Sequence, residues 1–148
     1  MTNFFAAGID VTNKCTLKCL HCFNSSGEHS LNKQELSDAE ILQFIDDINN
    51  YSVGLISIGG GEALLRKELI LQISDYLSGN NSKIDLALVT NGYLMTKEYA
   101  SQLRLPNIRS VQVSLDGFKE NHERMRNMKG SYDRAIESIK YLIDAYHP

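Results

Sequence analysis

Long apolar runs, an excess of basic residues and widely spaced cysteines are all missing from this 148-residue chain. No apolar segment approaches the roughly 18 to 20 residues that a membrane helix needs. The amino-terminal residues lack the basic segment of a signal peptide. The formal net charge of −3 offers no positive surface for a polyanion. We therefore expect a cytoplasmic protein that binds neither membranes nor nucleic acids.

Cysteine is scarce, and its placement excludes a disulfide framework. Cys15, Cys19 and Cys22 are the only cysteines and lie within eight residues, so none has a distant partner. A phosphate-binding Gly-x-x-x-x-Gly-Lys loop and a zinc-binding His-Glu-x-x-His helix are also absent. The hydrophobic share of 43% and the charged share of 22% are those of an ordinary soluble domain with a single core.

Short apolar strands alternate with amphipathic helices along the chain. The strands are predicted over residues 4–11, 55–58, 84–89 and 108–115. The first helix is predicted to follow Ser37, which forms a capping box with Glu40. The other three helices are predicted to start near Leu65, after Thr96 and near Ser131. Four β-α units in strict alternation favour an α/β fold with a parallel sheet and right-handed crossovers.

Polar or glycine-rich sequence follows every predicted strand. The four segments are the cysteine loop, Gly59–Glu62, Thr90–Gly92 and Ser114–Gly117. Ligands bind at the carboxyl ends of the strands in parallel sheets. The four segments are therefore expected to form one rim around one site.

The cysteine spacing, C-x3-C-x2-C, directs three thiolates toward one point and supplies no fourth. On a [4Fe–4S] cluster, which normally takes four thiolates, one iron would then remain free for another ligand. The alternative is a zinc site, in which His21 or His29 completes a Cys3His set.

The other motifs also have simpler explanations. Gly59–Gly61 is compatible with a tight turn that needs a positive φ, and Asn91-Gly92 is a frequent turn pair. Ser114 and Asp116 are suitable strand-end capping groups, and Arg126 needs no explanation as a surface cation.

Taken together, the motifs resemble those of the radical S-adenosylmethionine (radical SAM) superfamily. The cysteine loop matches its C-x3-C-x-aromatic-C pattern, with His21 in the aromatic position. Gly60, Gly61 and Glu62 match its Gly-Gly-Glu motif, although Ala63 stands where proline is usual. Thr90–Gly92, Ser114–Gly117 and His122-x3-Arg126 are similar to segments of peptide-maturing (SPASM-type) and haem-pathway members.

The resemblance implies a [4Fe–4S] cluster held by Cys15, Cys19 and Cys22, with SAM on the fourth iron. It places SAM among the rim residues His21, Gly60, Gly61, Glu62, Thr90, Asn91, Ser114, Asp116 and Arg126. The implied reaction is reductive cleavage of SAM to methionine and a 5′-deoxyadenosyl radical, which abstracts hydrogen from a peptide or protein side chain. A reductant such as flavodoxin or ferredoxin would supply the electron.

The family's core is a six-stranded partial (β/α) barrel, whereas four β-α units are found here. We therefore expect residues 1–148 to be an incomplete, amino-terminal portion of a radical SAM core domain. The outer edge of the fourth strand should then be open and prone to self-association. The alternative hypothesis, from a different class of function, is a non-catalytic half-barrel module that binds zinc or an iron–sulfur cluster.

Overall fold

The computed structural model describes residues 5–26, 34–51 and 53–146, and these contain one parallel sheet. Its strands are β1 (Phe5–Asp10), β2 (Val53–Gly59), β3 (Asp85–Thr90) and β4 (Ile108–Val113). The strand order is β1-β2-β3-β4, and each neighbouring pair is parallel. The predicted α/β fold with four parallel strands is confirmed. Phe4, the predicted first residue of the first strand, lies outside the described residues.

Helices follow each strand. They are α1 (Asp38–Asn49), α2 (Lys67–Gly79), α3 (Lys97–Gln102), α4 (Lys119–Arg126) and α5 (Ser131–Tyr146), with a 3-10 helix (Ala63–Arg66) before α2. The predicted capping box is confirmed, because Ser37 Oγ accepts the Glu40 N–H and the Glu40 carboxylate accepts the Ser37 N–H. The predicted cap of α3 by Thr96 is confirmed as well. In the part of the chain that is described, no helix combines the length and apolar character needed to cross a membrane.

Helix α4 was not predicted, because its sequence has no apolar face. Only His122 is buried among its residues. Tertiary contacts and the left-handed turn at Asn127 define its carboxyl end instead, and the Met125 carbonyl accepts the Leu20 N–H at 2.8 Å. The helix is therefore attached directly to the cysteine loop.

The core lies between one face of the sheet and the helices. Burial alternates along the central strands, where Ile56, Ile58, Leu86 and Leu88 are almost fully buried. Apolar side chains from the helices complete this core, among them Ile41, Ile45, Leu69, Ile70, Ile73, Leu77, Tyr99 and Ala100. Burying each large aliphatic side chain stabilises the fold by about 1.5–3 kcal/mol.

The opposite face of the sheet carries a row of small residues. The register aligns Gly8 with Ser57, Ser57 with Ala87, and Ala87 with Ser110 across all four strands. These small side chains share one face because side chains in neighbouring parallel strands that pair in register point the same way. Along this row the face therefore lacks the bulky apolar side chains found on the helix side.

Strand β4 ends the sheet on one side within the described residues. A groove of about 440 Å³ runs between its outer edge and α5. Its apolar lining includes Val111, Val113, Ile139, Leu142 and Ile143. Ile143 is 53% exposed, so the groove leaves a large aliphatic side chain in water.

Candidate functional site

The segments that follow the four strands meet at one end of the sheet, as predicted. The Ser114 N–H donates to the Thr90 carbonyl at 3.0 Å, which joins the ends of β3 and β4. A cleft of about 320 Å³ opens at this rim. It is lined by Cys15, Leu17, Cys19, His21, Cys22, Phe23, Asn24, Gly60, Gly61, Val89, Thr90, Asn91, Ser114 and Arg126. All of the site residues proposed from sequence are in this lining except Glu62 and Asp116.

Cys15 lies at the inner end of the cysteine loop and is partly buried. Its sulfur accepts the Leu17 N–H at 3.5 Å and an Asn91 amide N–H at 3.7 Å. Burial raises the pKa of its thiol; the Leu17 N–H opposes this shift, and the nearby Glu62 charge adds to it. Asn91 is 8% exposed and also donates to Thr16 Oγ1, so it joins the end of β3 to the cysteine loop.

The other two cysteine sulfurs have N–H donors of their own. Cys22 Sγ accepts the Ser26 N–H at 3.3 Å, and Arg126 Nη1 lies 3.8 Å from Cys19 Sγ. Ser26 is in turn held by the loop, since its hydroxyl donates to Asn13 Oδ1 at 2.9 Å. Each of the three sulfurs therefore lies within hydrogen-bond reach of at least one N–H donor.

The glycine turn after β2 crosses the beginning of the cysteine loop at very short range. The Gly61 N–H donates to the Thr12 carbonyl at 2.7 Å, and the Glu62 N–H donates to the Lys14 carbonyl at 2.9 Å. A Cβ on Gly60 would lie 2.3 Å from the Thr12 oxygen, and one on Gly61 would lie 2.3 Å from the Lys14 oxygen. Gly60 also has φ +133°, which side chains rarely adopt. Both glycines are needed for this backbone crossing as well as for the cleft.

Glu62, which the sequence assigns to SAM, is absent from the cleft lining. Its side chain is 1% exposed and points into the protein, where its carboxylate accepts the Leu64 N–H, the Thr90 hydroxyl and the Asn91 N–H at 2.6–2.9 Å. Burial raises the pKa of this carboxyl, and the three hydrogen bonds oppose the shift. The carboxylate thus joins the ends of β2 and β3, and its role in binding SAM stays a prediction.

Asp116 and Arg126, both assigned to SAM from the sequence, pair with each other. Arg126 Nε and Nη2 form a bidentate ion pair with Asp116 at 2.5 and 3.1 Å. His21 Nε2 lies 3.4 Å from the same carboxylate. The Asp116 N–H donates to His122 Nδ1 at 3.2 Å, so that nitrogen carries no proton. Burial lowers the pKa of His122, and the nearby Arg126 charge lowers it further. Arg126 lines the cleft and Asp116 does not, and the contact of either residue with SAM stays a prediction.

Sequence reasoning missed the contacts that hold the cysteine loop from behind. The Glu35 carboxylate accepts the Thr12 hydroxyl at 2.9 Å and the Asn13 N–H at 2.8 Å. Arg66 Nη1 donates to the Val11 carbonyl at 2.6 Å. These pairs are separated by 22 to 55 residues along the chain. No local pattern reveals such contacts.

The donor set consists of three thiols in one cleft, and thiolates are the usual ligands of a [4Fe–4S] cluster. Among the described residues, no group of three or more His, Cys, Asp or Glu side chains converges closely enough to hold one metal ion. A cuboidal cluster does not require such convergence, because each thiolate binds a different iron. His29, one of the two histidines considered for a zinc site, lies outside the described residues. His21, the other, contacts Asp116 instead.

The sequence profile of the Radical SAM superfamily matches residues 9–148. The chain belongs to the radical SAM superfamily. SAM and a [4Fe–4S] cluster are the cofactors of this superfamily, so the predicted family and cofactors are confirmed.

Two curated relatives and one solved structure illustrate the similarity of this radical SAM chain to known proteins. It is 32% identical to the AdoMet-dependent heme synthase of Methanosarcina barkeri, over 94% of this chain and 39% of the relative. It is 32% identical to the mycofactocin maturase MftC of Mycolicibacterium smegmatis, over 92% of this chain and 33% of the relative. The structure of native anSMEcpe with bound AdoMet and the Cp18Cys peptide superimposes with a TM-score of 0.77 at 21% identity, covering 97% of this chain and 40% of that chain.

The structural likeness confirms the predicted partial (β/α) barrel of radical SAM type. The radical SAM chain spans about two fifths or less of the length of these proteins. The two curated relatives, a synthase and a maturase, are enzymes, and one name refers to heme while the other refers to mycofactocin.

Proposed function

We propose that Cys15, Cys19 and Cys22 hold the [4Fe–4S] cluster and that the rim of the cleft binds SAM in a radical SAM enzyme. When bound, the two cofactors supply reductive cleavage of SAM to methionine and a 5′-deoxyadenosyl radical. The observation that carries the proposal is the single cleft that contains all three cysteines and the ends of β2, β3 and β4. The N–H donors beside each sulfur support the assignment of the cysteines.

The cleft wall offers both bare backbone and polar side chains to SAM. Gly60 and Gly61 present bare backbone at the cleft, which allows a ligand to approach closely. His21, Thr90, Asn91 and Ser114 contribute polar groups along the same wall, and their assignment to SAM stays a proposal. For Glu62, Asp116 and Arg126 we propose supporting roles, because their charged groups already pair within the chain.

Anaerobic reconstitution tests this function. We expect about four irons and four sulfides per chain. With SAM and a strong reductant, we expect 5′-deoxyadenosine. A Cys19→Ala variant should lose the cluster, whereas substitution of Ser101, an exposed α3 residue outside the cleft, should not. Stoichiometric zinc without SAM cleavage would instead identify the chain as a non-catalytic metal-binding module.

We further propose that the substrate is a peptide or protein side chain. The support is the Ser114–Gly117 stretch, the maturase among the relatives, and the peptide bound to the superimposed structure. Because the heme synthase is equally similar at 32% identity, the experiment must separate the two classes. Transfer of deuterium into 5′-deoxyadenosine from a perdeuterated peptide pool supports the proposal. Transfer from a deuterated porphyrin alone contradicts it.

The chain's place in a larger assembly is also a proposal. We propose that residues 1–148 correspond to the amino-terminal part of the radical SAM core, since they cover 40% of the superimposed chain. A flavodoxin or ferredoxin is the proposed electron donor, because SAM cleavage consumes one electron.

We also propose self-association of this polypeptide through the β4 edge, supported by the apolar groove beside it. Sedimentation velocity showing only monomer across a concentration series would contradict the last proposal.

A further inference from the structure

The guanidinium of Arg126 is divided between two partners. Its Nε and Nη2 nitrogens face the two oxygens of Asp116 at 2.5 and 3.1 Å. The remaining nitrogen, Nη1, lies 3.8 Å from Cys19 Sγ. The three nitrogens form a rigid planar fork, so an ion pair on one side fixes the direction of the third nitrogen. Asp116 therefore directs an N–H of Arg126 at the sulfur.

Both ends of this arrangement are held in place. The Asp116 N–H donates to His122 Nδ1 at 3.2 Å, and His122 is 1% exposed. The side chains of Arg126 and Asp116 are 12% and 19% exposed, which limits screening of their charges by water. The cysteine loop is attached to the same helix, since the Leu20 N–H donates to the Met125 carbonyl next to Arg126.

The donor at Cys19 differs in charge from those at the other two sulfurs. Cys15 accepts from a backbone N–H and from the neutral amide of Asn91. Cys22 accepts from the Ser26 backbone N–H. Among the sulfur contacts of the described residues, the Arg126 contact is thus the one with a charged donor. Hydrogen bonds to the sulfurs and local charge are among the factors that set the reduction potential of an iron–sulfur cluster.

We propose that Arg126, aimed by Asp116, is a positioning residue that raises the reduction potential of the cluster through Cys19. One-electron reduction makes the cluster more negative, and a cationic N–H donor at a ligand sulfur stabilises the more negative state. The Asp116 carboxylate cancels part of this effect while it orients the donor. The inference rests on the proposed function, because it requires that Cys19 bind the cluster.

The test measures the midpoint potential of the reconstituted cluster by reductive titration followed by EPR, in the absence of SAM. Omitting SAM removes any effect that Arg126 would have through the carboxylate of SAM. R126Q removes both the charge and the fixed N–H, so its midpoint should shift to a more negative potential. D116N keeps one oxygen to accept from Arg126 but removes a negative charge, so its midpoint should shift to a more positive potential.

Arg124 provides the matched control. It lies on the same helix and is exposed, and its guanidinium donates to Asn121 Oδ1 at 3.5 Å rather than to a cysteine. R124Q therefore makes the same change in net charge without touching the sulfur, and its shift should be much smaller than that of R126Q.

The two opposite shifts, together with a small shift in R124Q, support the proposal. An R126Q shift no larger than that of R124Q overturns it, as does a D116N shift that is absent or negative. If R126Q takes up no cluster, D116N decides alone by the sign of its shift. Failure of the unaltered protein to assemble any cluster instead contradicts the proposed function, so the two failures are distinguishable.

Discussion

Glu62 is 1% exposed, and its carboxylate accepts hydrogen bonds from the Leu64 N–H, the Thr90 hydroxyl and the Asn91 N–H. A Glu62→Ala variant removes all three acceptor contacts at once. The Thr90 hydroxyl can rotate toward another acceptor, but the two backbone N–H groups cannot. The substitution therefore leaves two buried donors without a partner at the junction of β2 and β3.

The magnitude follows from these two donors. Each buried polar group left without its partner costs about 1–3 kcal/mol, so E62A should lower the free energy of unfolding by about 2–6 kcal/mol. Total stabilities are on the order of 5–15 kcal/mol, so this is a large fraction. For a domain of this length the melting temperature should fall by on the order of 10 °C.

Thermal unfolding of the cofactor-free protein, followed by circular dichroism, measures the effect without any contribution from SAM. Glu68→Ala is the control, since Glu68 is 71% exposed and forms only a surface ion pair with Lys67. Its effect should stay within about 0.5 kcal/mol. An E62A variant that melts like E68A but loses SAM affinity would refute the bracing role and restore Glu62 as a ligand residue.

Three further predictions concern the cysteine loop, the glycine turn and the β4 edge. Hydrogen bonds from two loop donors overcome the opposing effect of burial and lower the pKa of Glu35 below its ordinary value of 4.5. Because this carboxyl is more acidic in the folded state, its stabilisation is present above pH 4.5 and is lost as the pH falls through the folded-state pKa. The difference in stability between the wild type and E35Q should therefore shrink in acid, and urea unfolding at several pH values measures it; a constant difference contradicts the assignment. Gly61→Ala should prevent normal assembly of the rim, because its Cβ would lie 2.3 Å from the Lys14 carbonyl oxygen. Gly79→Ala has open space and should be neutral or stabilising by about 0.4–1 kcal/mol; equal melting temperatures for the two variants would exclude the clash. Ile143→Glu places a carboxylate in the β4 groove and should weaken self-association by about tenfold or more, measured by sedimentation velocity against wild type.

The strand–helix alternation and the rim motifs were predictable because their signals are local. Ser37 and Glu40 cap α1 as their spacing predicts. The cysteines lie within eight residues of one another, so their presence in one cleft follows from the chain itself. Polar sequence after each strand predicted a shared rim, since parallel strands place their carboxyl ends at the same edge of a sheet.

Helix α4 and the roles of the charged residues were not predictable in this way. The helix has no apolar period, and contacts with the cysteine loop and the segment after it define its carboxyl end. Glu62 and Asp116 are acidic residues beside a predicted site, which made ligand contact a natural expectation. The structure shows that their nearest donors belong to Thr90, Asn91 and Arg126.

For this protein, residue type and spacing were enough to predict the family, the cofactors and the end of the sheet at which the cleft lies. They were enough because the three thiols lie within eight residues of one another and the glycine turn is one continuous segment, Gly59–Glu62. Tertiary structure was needed to separate cleft-facing groups from bracing groups, as with Glu62, and to place Arg126 Nη1 at 3.8 Å from Cys19. The physical reason is that the direction of a side chain depends on donors and acceptors up to 107 residues away, which no local pattern encodes.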